Sequence, residues 1–262
     1  MPTICLSAGH GNGDPGAINK DLQEATLTRI VTVRAAEMIR KHSVDCLEVP
    51  ENLDLVGTIK WINDRAEQIT ICIEQHFNIG GNGKGVEAWN YAGAGNESDK
   101  LSQFLVDAVS AETGLINRGI KDESANRWGK LGFVHDTDPV AALIECAFLD
   151  GDYDYLKKDE NLTRIAKGVA RGALSYLKIA WKPELINPVQ PTPPPPPPVL
   201  VVTEDTVIPQ IRGMRVKDIK LRVVESEKAL SQAISNVGNA QDQLDQALKA
   251  LAVATKNLEE LK

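Results

Sequence analysis

The sequence predicts an α/β domain over residues 1 to 181, a β-sheet flanked by helices, followed by a proline-rich linker (182–198) and a helical C-terminal segment (199–262). Three observations carry this. Short β-rich runs alternate with amphipathic stretches through the first 180 residues. Nine of the 14 prolines fall between Pro183 and Pro198. Beyond them the apolar period becomes seven.

In chain order, Thr3 to Ser7 reads as a buried strand and opens into the glycine-rich stretch Ser7-Ala8-Gly9-His10-Gly11. Leu27, Ile30, Val31, Ala35, Met38 and Ile39 recur at spacings of three and four, which predicts a helix. Ile69 to Glu74 is a second strand. A second helix is marked by Leu101, Phe104, Leu105, Ala108 and Val109, a third strand by Ala141 to Glu145, and a third helix by Leu162, Ile165, Ala166, Val169, Ala173 and Leu177. The unbroken run Pro193 to Pro198 can only be an extended polyproline II spacer. After it comes a basic patch (Arg212, Arg215, Lys217, Lys220, Arg222). Val223, Leu230, Val237, Leu244, Leu251 and Leu258 then repeat every seventh residue, with Ile234 and Leu248 between, as in a coiled coil. That seam predicts a homo-oligomer through the C-terminal helix; the alternative is a single amphipathic helix that binds the wall or another partner, guided by the basic patch.

Composition excludes several classes. With 42% hydrophobic and 25% charged residues the chain is globular. The net charge of −7 falls in residues 1 to 181, and only 5% of residues are aromatic, so a nucleic-acid partner is not expected. No apolar run approaches the ~18 residues of a membrane span, so no integral membrane segment is expected, and the N-terminus lacks the pattern of a signal peptide. The expected location is therefore cytoplasmic. Cys5, Cys46, Cys72 and Cys146 show no CxxC spacing and read as reduced core residues.

Four residues could carry chemistry. His10 and His76 each follow a predicted strand, and the carboxyl ends of strands are where sites assemble in open α/β sheets. The glycine-rich loop around His10 lacks the Gly-Lys-Ser/Thr of a phosphate loop. Glu24 stands three residues after Asp21, the spacing of a capping box. It also precedes Leu27 and Val31 at helical spacing, which puts the carboxylate on the buried face, where it needs a partner such as a metal ion. Glu145 ends an apolar strand; it is either half of a structural ion pair or a carboxylate whose proton affinity is raised by burial. Two histidines and a glutamate, with a fourth position left for water, form a catalytic zinc arrangement that a further glutamate can serve with protons. The ligand spacing of 14 and then 52 residues is not HExxH.

These segments resemble the zinc-dependent N-acetylmuramoyl-L-alanine amidases of bacterial autolysins and bacteriophage endolysins. The resemblance runs through Ser7–Gly11 with Asp14-Pro15-Gly16-Ala17, Glu24 before a long helix, and His76-Phe77-Asn78. It continues in Gly83-Lys84-Gly85-Val86-Glu87, Asn117-Arg118-Gly119-Ile120-Lys121 and Leu143 to Leu149. It implies a single mixed β-sheet flanked by helices, Zn2+ bound by His10, Glu24 and His76, and Glu145 as the catalytic carboxylate. The implied reaction is hydrolysis of the amide between N-acetylmuramic acid and L-alanine in peptidoglycan, in a phage endolysin released to the wall at lysis. Thr28, Glu74-Gln75 and Cys146-Ala147 depart from the family pattern. A catalytically silent wall-binding protein and a stem-peptide endopeptidase are the alternatives.

Overall fold

The computed structural model describes residues 2–93, 97–126 and 129–186. The linker from residue 187 onward and the heptad segment predicted for 199–262 lie outside the described residues.

Chain order is β1 (Thr3–Ala8), β2 (Ile18–Asn19), β3 (Leu22–Gln23), α1 (Glu24–Lys41), β4 (Asp45–Glu48), α2 (Leu55–Asn63), β5 (Ile71–Asn78) and β6 (Val86–Asn90). It continues with α3 (Glu97–Thr113), β7 (Asn117–Asp122), α4 (Gly132–Asp136), β8 (Val140–Phe148), α5 (Tyr153–Leu156) and α6 (Asp159–Tyr176). Six strands form one sheet in the order β4-β1-β5-β8-β6-β7. The first four run parallel; β6 pairs antiparallel with β8 and parallel with β7, so the sheet is mixed.

Both faces of the central strands are covered, which is why Ile4-Cys5-Leu6 and Ile71-Cys72-Ile73 are apolar without alternation. Ile4, Leu6, Ile71, Ile73, Ala142 and Ile144 pack into a core with α1, α3 and α6. Cys5, Cys72, Ala141 and Leu143 pack on the opposite face with Ile62 of α2 and Phe133 of α4. All four cysteines are buried and free, as the sequence predicts. Helix α6 comes close to α3 because Gly168 and Gly172, four residues apart, lie against the Cα atoms of Val109 and Leu105.

Two strand ends differ from the sequence reading. Strand β5 runs on to Asn78, so His76 is inside the strand rather than after it; the polar trio Glu74-Gln75-His76 masks the continuation. Strand β8 likewise runs to Phe148 and contains Glu145. Of the β5 trio, Glu74 and His76 share the face of Cys72, and Gln75 lies on the opposite face, where it accepts the Thr32 hydroxyl of α1.

The far end of α1 is tied to the end of the described chain. His42 caps the helix, its Nδ1 2.8 Å from the Met38 carbonyl oxygen. Its Nε2 accepts the Lys182 N–H at 3.0 Å, and its ring stacks on Trp181 with centroids 4.6 Å apart. Trp181 and Ile186 still pack against the core, so the folded region runs past residue 181. Among the described residues no helix is long and apolar enough to cross a membrane.

Candidate metal centre and active site

His10 lies two residues beyond β1, in a left-handed backbone conformation (φ 67°) that turns the chain back across the strand end. Its Nδ1 is 2.8 Å from Asp14 Oδ2, while Asp14 Oδ1 accepts the Gly16 N–H at 2.9 Å. The carboxylate therefore fixes the ring and leaves Nε2 directed inward.

Glu24 opens α1, but no capping box forms. Gln23 occupies the cap position without a side-chain cap bond, and Asp21 accepts the Tyr153 hydroxyl instead. The Glu24 carboxylate turns into the protein, where Oε2 accepts the Ala17 N–H at 2.9 Å and Oε1 the Phe77 N–H at 3.0 Å. Each oxygen also faces one imidazole: Oε2 is 3.0 Å from His10 Nε2 and Oε1 is 2.9 Å from His76 Nδ1.

His76 projects from β5 with its ring edge-on to that of His10, centroids 4.9 Å apart. Its outer nitrogen, Nε2, is 3.2 Å from Glu74 Oε2, and Glu74 Oε1 accepts the Ser7 hydroxyl at 3.2 Å. Glu74 and His76 are two residues apart on a strand and so share a face. That spacing was the available signal for Glu74, which sequence reasoning registered only as a departure from the family pattern. Glycine makes room for both rings. A Cβ on Gly9 would lie 2.4 Å from His76 Cε1, and one on Gly16 would lie 2.6 Å from His10 Cδ2. Thr28, a second departure, donates its hydroxyl to the Gly9 carbonyl at 2.8 Å and so holds the loop against α1.

The structure thus brings His10, Glu24 and His76 together, with one donor atom from each within 4.8 Å of the others. Burial alone would raise the Glu24 pKa, but hydrogen bonds with His10 and His76 outweigh it and hold the carboxyl well below its ordinary range. Burial opposes charging of the histidines, yet contacts with Glu24, Glu74 and Asp14 raise both, His76 the more.

Glu145 is the register partner of His76 across β5 and β8. Its Oε2 is enclosed and has no hydrogen-bond partner among the described residues. Burial is the main cause that pushes its pKa up to about 7, with Glu24 and Glu87 adding to the shift.

Beside the histidines opens a cavity of about 400 Å³, walled by apolar side chains including Leu53, Leu55, Leu131, Phe133 and Leu143. Asp14, Asp54 and Glu74 also line it; no lysine or arginine does.

The sequence model of a family described as N-acetylmuramoyl-L-alanine amidase matches residues 4–175. The chain belongs to this family. Its members are hydrolases of peptidoglycan, and that is the activity the match gives this amidase domain. The chain is similar to the sporulation-specific N-acetylmuramoyl-L-alanine amidase of Bacillus subtilis strain 168, with 26% identity over 180 residues, covering 66% of this chain and 67% of that protein. Among solved structures, the N-acetylmuramoyl-L-alanine amidase of Clostridium difficile 630 shares the fold. It superposes with a TM-score of 0.61 at 22% identity, over 68% of this chain and 97% of that one. The catalytic domain of the CD27L endolysin, which targets Clostridia difficile, does so with a TM-score of 0.55 at 24% identity, over 67% and 98%. The expected mixed α/β architecture is the one these amidases have.

Proposed function

We propose that His10, Glu24 and His76 hold one zinc ion and that Glu145 carries the proton in cleavage of the amide between N-acetylmuramic acid and L-alanine. One observation bears most of this reading. The two oxygens of a single buried carboxylate each face one imidazole nitrogen, so donor atoms of all three residues lie within 4.8 Å of one another. Two nitrogens and a carboxylate oxygen are an ordinary donor set for catalytic zinc, and the outer nitrogen of each histidine faces a carboxylate as such ligands require. The enclosed, unpartnered Oε2 of Glu145 is an acceptor awaiting a proton donor.

The chemistry such an ion supplies when bound is Lewis acidity toward water and toward the scissile carbonyl. Asp14 and Glu74 hold the rings so that the inner nitrogens present their lone pairs. Glu145, with a proton affinity close to neutrality, takes a proton from the attacking water. As the C–N bond breaks it returns that proton to the departing amine of L-alanine, leaving a carboxyl on the lactyl group. Digestion of purified peptidoglycan followed by mass spectrometry tests the assignment. Free lactyl carboxyls and alanine amino termini are expected; a new amino terminus inside the stem would make the protein an endopeptidase, and no cleavage would make it silent.

The role we propose is that of a phage endolysin, which the shared fold with the CD27L domain supports. Synthesis in a susceptible bacterium with and without a membrane-perforating protein checks it. Lysis that depends on perforation is expected, and intact cells in both cases would reject it.

A further inference from the structure

Two cations stand together where a regular strand would part them. Arg118 and Lys121 are three residues apart in β7, a spacing that places side chains on opposite faces. The β6–β7 register shifts between Val86 and Ala88, and Gly119 has φ 78°, so the strand is irregular at this point. Such bulges re-aim side chains. Here both cations reach Oε2 of Glu87, Arg118 Nε at 2.7 Å and Lys121 Nζ at 2.6 Å.

Glu87 is 1% exposed, and its Oε1 accepts from Asn78 Nδ2 at 3.1 Å. Burial would raise its pKa, but Lys121 and Arg118 together hold it below the ordinary range. One cation would neutralise this carboxylate; two are present. Among the described residues neither has another acidic partner within 4.0 Å, so the cluster carries one net positive charge. The guanidinium lies over the Phe148 ring at 4.8 Å and the ammonium over Trp89 at 5.1 Å, which fixes their positions. Both remain about a third exposed, at 36% and 32%. Arg118 commits Nε to Glu87 and makes one long contact from Nη1 to the Lys84 carbonyl at 3.4 Å, so most of its fork is available.

Glu87 is the register partner of Glu145, and β7 is the next strand out. At a strand spacing of about 4.8 Å, the backbone of β7 stands roughly 10 Å from that of β8 across the sheet. An extended peptide advances about 3.5 Å per residue, so a carboxylate on the second or third stem residue falls at about that distance from the cut. The cavity that the two histidines line also carries Asp14, Asp54 and Glu74 but no lysine or arginine, so it offers a free carboxylate no such cation.

We propose that Arg118 and Lys121, braced by Glu87, form a subsite for a free carboxylate of the stem peptide on the amine side of the scissile bond. This rests on the amidase reading of the site, and it gives the peptide a direction, from β8 over β6 to β7.

The test uses the full, zinc-loaded chain and two muramoyl tripeptides that differ only in whether the α-carboxyl of the second residue is free or amidated. Wild type is expected to prefer the free acid by kcat/KM. Arg118→Gln and Lys121→Gln, each of which leaves Glu87 one cation, should reduce that preference roughly tenfold or more, the usual consequence of losing a hydrogen bond to a charged group. Arg118→Lys should restore part of it. Equal kcat/KM for the two substrates in wild type, or an unchanged ratio in both folded variants, would overturn the subsite while leaving the amidase reading intact. Failure of the zinc-loaded wild type to cut either substrate would overturn that reading and the subsite with it. Should the variants not fold, inhibition of wild-type cleavage by the free and amidated stem tripeptides decides, and equal inhibition rejects the proposal.

Discussion

His76 and Glu145 face each other as register partners on the adjacent parallel strands β5 and β8. Backbone pairing thus sets the proposed ligand beside the proposed proton carrier, at a strand spacing of about 4.8 Å. Placement on paired strands fixes such a constellation more tightly than loops do.

Glu145→Gln should keep the fold and the zinc but lose at least ~10²-fold in rate, since general acid–base catalysis contributes that much or more. Steady-state hydrolysis together with metal analysis of the same sample is the check. Near-normal turnover would make Glu145 a structural residue.

The same substitution should alter stability against pH in the metal-free protein. Glu145 titrates near 4.5 when unfolded and is pushed up to about 7 by burial in the fold. Between those values the folded state holds a proton that the unfolded state has released, so this group's contribution to stability falls as pH rises. Wild type should therefore lose ground to Glu145→Gln from about pH 4.5 to 7 in denaturant titrations. Parallel curves would contradict the shift.

One zinc per chain is expected, and His76→Ala should lose it. Because His10 and His76 are raised in the metal-free fold, chiefly against their burial by Glu24 and its neighbours, their pairing with Glu24 stabilises the protein at low pH and fades as pH rises through those raised values. Zinc must displace these protons, so affinity should fall with falling pH and binding should release acid into a weak buffer. Full zinc content in His76→Ala would reject the ligand assignment.

Gly9→Ala places a methyl 2.4 Å from the His76 ring and 2.6 Å from the Gln75 carbonyl oxygen. Overpacking of this kind costs about 1–3 kcal/mol, and the ring must move. Lower denaturation midpoints and weaker zinc retention against a chelator are expected. An unchanged zinc affinity would mean that the ring position is not set by Gly9.

The heptad pattern of 199–262 leads us to expect self-association, with a coiled-coil seam of Val223, Leu230, Val237, Leu244, Leu251 and Leu258. Light scattering should give a multimer for the full chain and a monomer for residues 1 to 186. Monomers in both cases at tens of micromolar would remove the expectation.

Helices α1, α3 and α6 were legible because each buries one stripe, and β1, β5 and β8 because central strands are apolar on both faces. Strands β6 and β7 were not. Glu87, Arg118 and Lys121 interrupt them with charges that only the neighbouring strands explain. The four proposed site residues were legible through residue type and order, together with the family pattern. Their supports were less so: Glu74 acts through a ring two residues away, and the Asp21–Glu24 spacing suggested a cap that the structure does not form.

The clasp between His42 and Lys182 bears on how the enzyme can be handled. Helix α1 has 18 residues and so spans about 27 Å, with Glu24 at one end and His42 beyond the other. Trp181 and Lys182 lie beside that remote end, held by the stacked His42 and Trp181 rings and by the Lys182 N–H donated to His42 Nε2. Coupling to a bead or sensor surface through a tag after Ile186 therefore loads the quiet end of the helix. The proposed metal-binding end stays clear of the support, and a pull on the tag meets the ring stack before it reaches a ligand.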